Sequence, residues 1–210
     1  MIIPPVGLEG DLALPDGARA VVVFAHGSGS SRLSPRNRQV AEALQEARIG
    51  TLLIDLMTPD EGAADERIGH LRFNIDLLAS RLTQAVDWVA ASESTARLHI
   101  GCFGASTGAA AALVTAARRP DNVRAVVSRG GRPDLAGSML AMVDAPTLLI
   151  VGGRDHTVLE LNRQAYDQLR CEKELQIVPG ATHLFEEPGA LDKVTALARD
   201  WFVEWLHVAR

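Results

Sequence analysis

One pentapeptide in the sequence, Gly104-Ala105-Ser106-Thr107-Gly108, has the G-x-S-x-G pattern of a nucleophilic serine in a tight turn. It follows an apolar run that ends near Phe103 and precedes an alanine-rich stretch typical of a helix. Such a turn holds its serine in a strained backbone conformation, which small neighbouring residues permit. The hydroxyl would stand at the amino end of the helix, where N–H groups favour developing negative charge. We therefore predict Ser106 as a nucleophile; the alternative is a glycine-rich turn whose serine only caps the helix.

A serine hydroxyl is a weak nucleophile at neutral pH, so this chemistry requires a histidine within hydrogen-bond reach. His183 follows the last apolar run of strand length and lies in the turn-rich segment Pro179-Gly180-Ala181-Thr182-His183. A residue in that position should project over the same sheet edge as Ser106. Less suitable settings are those of His26, His70, His99 and His207. We predict His183 as the base, against the alternative of a surface-loop histidine.

The base needs an acid that holds the imidazole in the accepting tautomer and stabilises the imidazolium. This acid should lie between serine and histidine in chain order and should follow a strand. Asp155 meets both conditions, because the post-strand turn Gly152-Gly153-Arg154-Asp155 comes directly after an apolar run. Asp134 also follows a strand and is the second choice.

Attack on a carbonyl also requires two N–H groups aimed at the oxygen that becomes charged. We predict the backbone N–H of Thr107 as one donor and that of Ser28 as the other, with Gly27 and Gly29 as close alternatives to Ser28. Ser28 lies in the loop His26-Gly-Ser-Gly-Ser-Ser after the first clear strand. The same loop could be a plain flexible connection or a phosphate cradle, although it lacks the lysine of a P-loop.

The elements that must position these residues are apolar runs of strand length that alternate with helical patterns, which predicts crossover units on a parallel sheet. The runs of valine, isoleucine and leucine lack strict alternation, as expected of strands buried on both faces. We predict strands at 20–25, 51–56, 98–103, 123–127, 147–151 and 175–178, and a long helix carrying apolar residues from Ile68 to Val89. The expected fold class is α/β: a mostly parallel central sheet flanked by helices on both faces, as a single domain over 1–210. The ligand site of such a sheet lies beyond the carboxyl ends of its strands.

The composition excludes several other classes of function. The formal net charge is −5, and the 21 lysines and arginines are scattered, so we expect no nucleic-acid partner. The amino terminus does not have the pattern of a signal peptide, and no uncharged apolar run is long enough to span a bilayer. The two cysteines are expected to be reduced, with Cys102 a small buried hydrophobe. These features favour a cytoplasmic protein without membrane association.

In order along the chain, the segments HGSGSS, GASTG, GGRDHTV and GATHLF resemble those of the dienelactone hydrolase-like group of α/β-hydrolases. The resemblance spans nearly the whole chain and implies Ser106 as nucleophile, Asp155 as acid and His183 as base. It also implies an oxyanion hole built from the N–H groups of Thr107 and the HGSGSS loop. Dienelactone hydrolases proper carry cysteine where Ser106 stands, so lactone specificity does not follow. No long insertion lies between the strands near 127 and 147, so we expect a minimal lid or none.

The function predicted is hydrolysis of small soluble carboxylic esters through an acyl-enzyme, with no metal and no cofactor. The alternatives are acyl transfer or amide cleavage by the same residues, and a non-catalytic binding module with this fold. Arg129 and Arg132 follow a strand and could bind a substrate carboxylate, or could make structural ion pairs with acids such as Asp134. The sequence leaves the oligomeric state open.

Overall fold

The computed structural model describes residues 1–207, which form one eight-stranded sheet in the order β1-β2-β4-β3-β5-β6-β7-β8. The two strands at one edge pair in antiparallel fashion, β1 with β2 and β2 with β4, and all later pairs are parallel. The strands are β1 (Ile2–Ile3), β2 (Leu8–Ala13), β3 (Ala20–Ala25), β4 (Gly50–Ile54), β5 (His99–Ala105), β6 (Val123–Arg129), β7 (Thr147–Gly152) and β8 (Lys173–Val178). The predicted α/β class with a mostly parallel sheet is therefore confirmed.

Helices cover both faces of this sheet, and all residues of β3, β4 and β7 are buried. In β3, Val21 and Val23 belong to the core on one face, while Val22 and Phe24 belong to the core on the other. The first core is closed by α3 and α4, and the second by α1 and α6. The helices are α1 (Pro35–Glu46), α2 (Pro59–Ile68), α3 (Ile75–Ala91), α4 (Thr107–Arg118), α5 (His156–Gln168) and α6 (Ala190–His207).

The long helix predicted from Ile68 to Val89 is present from Ile75 onward as α3, but its predicted start is wrong, because α2 ends at Ile68 and a short turn separates the two helices. The polar stretch after Thr58 is itself helical: Thr58 and Glu61 form a reciprocal capping box at the start of α2. Gly69, in the left-handed conformation at φ 71°, ends α2. A 3₁₀ turn at Leu71–Phe73 follows, and Asn74 caps the start of α3.

The antiparallel edge formed by β1 and β2 was not predicted from the sequence. The segment Leu8–Ala13 reads LEGDLA, and its two acids and a glycine give a weak strand signal. Pairing with β4 makes it a strand, and its exposed side chains face solvent at the edge of the sheet.

The predicted minimal lid is also confirmed. The connection between β6 and β7 consists mainly of a compact 3₁₀ segment, Pro133–Met142, that packs on α4 and α5. The longer connection between β4 and β5 holds α2, a 3₁₀ turn and α3.

None of the helices within residues 1–207 combines the length and apolar character needed to cross a membrane.

Candidate active site

Ser106 occupies a strained turn between β5 and α4, with φ 51° and ψ −121°. The glycines around it are required by close backbone contacts. A Cβ atom on Gly104 would lie 2.4 Å from the Cα of Ala109, and one on Gly108 would lie 2.3 Å from the carbonyl oxygen of Ala25. Real Cβ atoms do not approach other atoms so closely, so the G-x-S-x-G pattern reflects packing of the turn against α4 and β3. This strained conformation places Ser106 at the amino-terminal end of α4.

His183 and Asp155 are in direct contact: Nδ1 of the ring lies 2.7 Å from Oδ2 of the carboxylate. Asp155 is the residue before α5, but its side chain makes no capping bond and is free to reach the ring. An ionised carboxylate can only accept, so Nδ1 donates, and the neutral ring then presents Nε2 as an acceptor. This is the tautomer that a general base requires.

Two connections hold the loops that carry this pair. The N–H of Arg154 donates to the carbonyl of Ala181 at 2.9 Å, which joins the loop after β7 to the loop after β8. Glu187 accepts the N–H of Thr182 at 3.0 Å. The pKa of Glu187 is lowered, chiefly by hydrogen bonding with the Thr182 side chain and to a smaller extent by backbone N–H groups, including that of Thr182. The acid at 187 escaped the sequence reasoning, since nothing in the sequence shows that it folds back on its own loop.

Ser106 and His183 both lie next to the chain segment that leaves β6. The N–H of Ser106 donates to the carbonyl of Arg129 at 3.3 Å, and its carbonyl accepts the N–H of Arg132 at 3.0 Å. Between those two residues, a Cβ atom on Gly130 would lie 3.6 Å from Nδ1 of His183. Within residues 1–207 no hydrogen bond shorter than 3.5 Å joins the serine hydroxyl to the imidazole. Catalytic hydrogen bonds of this kind often tighten only when substrate binds.

The loop after β3 reaches the turn that carries Ser106. A Cβ atom on Gly27 would lie 2.9 Å from the Cβ of Ser106, so glycine is needed for this approach. The N–H of Ser28 donates to Oγ1 of Thr107 at 3.1 Å. Thr107 is the first residue of α4, so its own N–H has no carbonyl partner within the helix. The two predicted oxyanion donors are brought together, but the Ser28 N–H points at a hydroxyl.

The same loop is anchored at both ends and is not a freely flexible connection. His26 is buried, its Nδ1 lies 2.8 Å from the carbonyl of Gly27, and its Nε2 accepts the N–H of Leu56 at 3.1 Å. Burial lowers the pKa of His26, which favours the neutral ring that these two bonds require. At the far end, the N–H of Arg32 donates to Asp55 at 2.6 Å. The sequence reasoning set His26 aside as a base but missed this structural role.

A small cavity of about 10 Å³ lies between the loop after β3, the end of β4 and α3. Its walls are formed by His26, Gly27, Ser28, Gly29, Leu56, Met57, Arg72, Leu78 and Thr107. Its one charged residue, Arg72, is held by the buried carboxylate of Asp65 at 2.5 Å. A larger open cavity, about 340 Å³, lies along the segment from Leu184 to Asp192, which follows His183 in the chain.

A family model described as the dienelactone hydrolase family matches residues 8–208 of the sequence. The chain belongs to this family. A crystal structure of a dienelactone hydrolase from Anabaena variabilis is 59% identical and superimposes with a TM-score of 0.95, covering 97% of this chain and 94% of that one. The family and this structural relative are both named as dienelactone hydrolases.

More distant solved structures share the fold. Est1E from Butyrivibrio proteoclasticus has a TM-score of 0.82 at 17% identity, and the match covers 99% of both chains. A serine hydrolase without a lid from Xanthomonas campestris has a TM-score of 0.76 at 19% identity, covering 100% of this chain and 94% of that one.

Two curated relatives come from strains of Mycobacterium tuberculosis and carry the provisional name phosphoribosyl transferase. Each is 58% identical over 206 residues, covering 98% of this chain and 46% of the relative. The chain therefore spans about half the length of these relatives.

In this member of the dienelactone hydrolase family, the thiol nearest the elbow is unsuited to act as a nucleophile. Cys102 lies in β5 and is fully buried, and burial raises its pKa to about 12. The reactive thiolate is therefore suppressed. Over the part of the chain that the structure describes, no group of three or more histidine, cysteine, aspartate or glutamate residues is arranged to hold a metal ion.

Arg129, the last residue of β6, and Arg132, in the segment that follows, have different surroundings. Arg132 makes two hydrogen bonds to Asp134, at 2.9 and 2.8 Å, so the second candidate for the acid is engaged away from His183. Arg129 is 8% exposed, and its closest acceptor is Oδ1 of Asn37 at 3.5 Å. Burial, with a smaller contribution from the nearby Arg36, lowers the pKa of Arg129 to about 10. Over residues 1–207, Arg132 forms an ion pair with Asp134, whereas Arg129 forms no ion pair.

Proposed function

We propose that this hydrolase is a serine esterase, with Ser106 as nucleophile, His183 as general base and Asp155 as the group that orients the base. The observation that carries the proposal is the 2.7 Å contact between Asp155 and Nδ1 of His183, at the sheet edge where Ser106 stands in its strained turn. That contact leaves Nε2 as the proton acceptor, which is the form a serine nucleophile needs.

The reaction proceeds in two stages through an acyl-enzyme. As Oγ of Ser106 attacks the ester carbonyl, Nε2 of His183 takes the hydroxyl proton, and the carbonyl oxygen gains negative charge beside the N–H of Thr107. Collapse of this intermediate breaks the ester bond, and His183 gives its proton to the departing alcohol. Water then repeats the sequence: His183 takes its proton, hydroxide adds to the acyl group, and Ser106 leaves with the proton restored.

The two cavities suggest which esters fit. The cavity of about 10 Å³ offers Leu56, Met57 and Leu78 as apolar walls, and its small size favours esters with a very short acyl group. The alcohol would leave along the larger open cavity beside Leu184. Small esters that approach without a lid are therefore the proposed substrates, and no metal or cofactor is required for this chemistry.

The same residues could transfer the acyl group to another acceptor or cleave an amide, so product analysis must separate these reactions. An added alcohol or amine that diverts most of the acyl group would favour transfer over hydrolysis. The proposal concerns the part of the M. tuberculosis relatives that this chain matches, 46% of their length.

The test is turnover of a short-chain p-nitrophenyl ester by the wild-type chain and by Ser106→Ala. Loss of a triad serine costs several powers of ten, so the expected decrease in kcat/KM is at least about 10³-fold. Ser138→Ala is the matched control, because Ser138 is an exposed serine outside the site, and it should leave turnover unchanged. Turnover by Ser106→Ala within tenfold of wild type would overturn the assignment.

A further inference from the structure

The side chain of Thr107 is placed where a backbone donor was expected to act alone. Its Oγ1 accepts the N–H of Ser28 at 3.1 Å, and the residue is 4% exposed. It also forms part of the wall of the small cavity beside the nucleophile. The residue therefore binds the Ser28 N–H on the wall of a cavity and directly follows Ser106 in the chain.

A threonine hydroxyl carries one proton and two lone pairs, so accepting from Ser28 leaves its own proton free to donate. Within residues 1–207 no acceptor takes that proton, although the side chain is buried. A buried donor without an acceptor is costly, and such groups are rare in folded proteins. A substrate oxygen that becomes negative beside α4 would supply the acceptor.

We propose that the Thr107 hydroxyl is a catalytic donor to the oxyanion, and that the Ser28 N–H acts through it. This inference rests on the proposed esterase function. The oxyanion receives the N–H of Thr107 and the O–H of the same residue, and the Ser28 N–H polarises that O–H. Hydrogen bonds in such a chain strengthen one another, and those to a charged oxygen are about twice as strong as neutral ones. No proton is transferred between Ser28, Thr107 and the oxyanion in this arrangement.

The alternative hypothesis is that Oγ1 of Thr107 only accepts the Ser28 N–H and so prevents that N–H from binding the substrate. The two readings predict opposite effects when the hydroxyl is removed. If Thr107 donates, its removal slows the reaction. If it only blocks Ser28, its removal frees a donor and leaves the reaction unchanged or faster.

The experiment compares Thr107→Val, Thr107→Ala and Thr107→Ser with wild type on a short-chain p-nitrophenyl ester. Removal of one oxyanion donor typically costs about 10²–10³-fold, and partial replacement by the freed Ser28 N–H reduces this. The valine and alanine variants should therefore lose about 10- to 100-fold in kcat with little change in KM. The serine variant keeps the hydroxyl and should stay within about threefold.

Thr115→Val is the matched control, since Thr115 is a fully buried threonine of the same helix whose hydroxyl contacts Thr83 and the carbonyl of Ala79. It should affect melting temperature but not kcat. Affinity for an aryl boronic acid, whose adduct places an oxygen where the oxyanion forms, should fall in parallel with kcat for Thr107→Val and Thr107→Ala. Melting curves establish that each variant folds, and the smaller alanine variant carries the test if valine does not fit.

Unchanged or faster turnover by Thr107→Ala, with unchanged affinity for the boronic acid, would overturn the donor role. That failure differs from failure of the esterase proposal, in which the wild-type chain itself shows no turnover that depends on Ser106.

Discussion

Replacement of Arg129 by methionine should stabilise the protein, because the guanidinium is buried without a carboxylate partner. The side chain lies at the end of β6, its one acceptor is Oδ1 of Asn37 at 3.5 Å, and its Nε and Nη1 have no partner within residues 1–207. The cation of Arg36 lies nearby and adds repulsion. Methionine has a similar length and no charge, so it can fill the space without these costs.

The size of the effect follows from the pKa of Arg129, which falls from 12.5 to about 10. At 1.36 kcal/mol per pKa unit, this corresponds to roughly 3 kcal/mol of cost to the charged form in the folded state. The sign is as follows: the lowered pKa destabilises the folded state at every pH below about 10, so the whole cost is present at neutral pH. Imperfect packing of methionine offsets part of the gain, and the expected increase in the free energy of unfolding is about 1–3 kcal/mol.

Urea unfolding followed by tryptophan fluorescence at pH 7 measures this directly. For a chain of this length, each kcal/mol raises the melting temperature by roughly 2–4 °C, so calorimetry gives a second reading. Arg132→Met is the control, because Arg132 is partly exposed and paired with Asp134; it should lose at most about 1 kcal/mol. A less stable Arg129→Met variant would refute the reasoning and show that the buried charge is compensated in solution.

Three further predictions address the site and its supports. Asp155→Asn should lower kcat by about 10³–10⁴-fold while circular dichroism stays unchanged, because the amide favours the wrong tautomer of His183; a loss of under tenfold would contradict this. Gly108→Ala should destabilise by about 1–3 kcal/mol or more in urea unfolding, since the new Cβ would lie 2.3 Å from a backbone oxygen, whereas Gly62→Ala in open space should stabilise slightly. The lowered pKa of His26 means that the unfolded chain binds its proton first, so this residue removes stability as pH falls through 6.5 toward 5. The midpoint of urea unfolding should therefore fall less from pH 7 to pH 5 in His26→Gln than in wild type. An equal fall in the two proteins would contradict this role of His26.

Continuous apolar runs made the central sheet predictable. Ala20–Ala25 reads AVVVFA, and a run of this kind is stable only where both faces are covered. The strand β2 carries no such signal, because its conformation depends on pairing with β4, a contact distant in sequence. The helix α2 could have been predicted, since Thr58 and Glu61 have the spacing of a capping box, but its polar composition concealed it.

The candidate site was predictable to the extent that chain order and strand ends define it. Asp155 and His183 each follow a strand, and parallel strands bring their carboxyl ends to one edge. Which of two nearby arginines is paired depends on side-chain geometry, and only coordinates distinguish Arg129 from Arg132. The same holds for Ser28, whose N–H meets a threonine hydroxyl because of the rotamer that Thr107 adopts.

The account depends most on Ser106 being activated by His183, and covalent labelling tests this directly. The wild-type chain and His183→Ala are treated with a fluorophosphonate probe, and the modified peptide is identified by mass spectrometry while the labelling rate is recorded. We predict one adduct on Ser106 and a labelling rate at least about 100-fold lower in His183→Ala, since general-base catalysis typically contributes about 10²–10⁴-fold. An adduct on another residue, or equal labelling rates for the two proteins, would contradict the account.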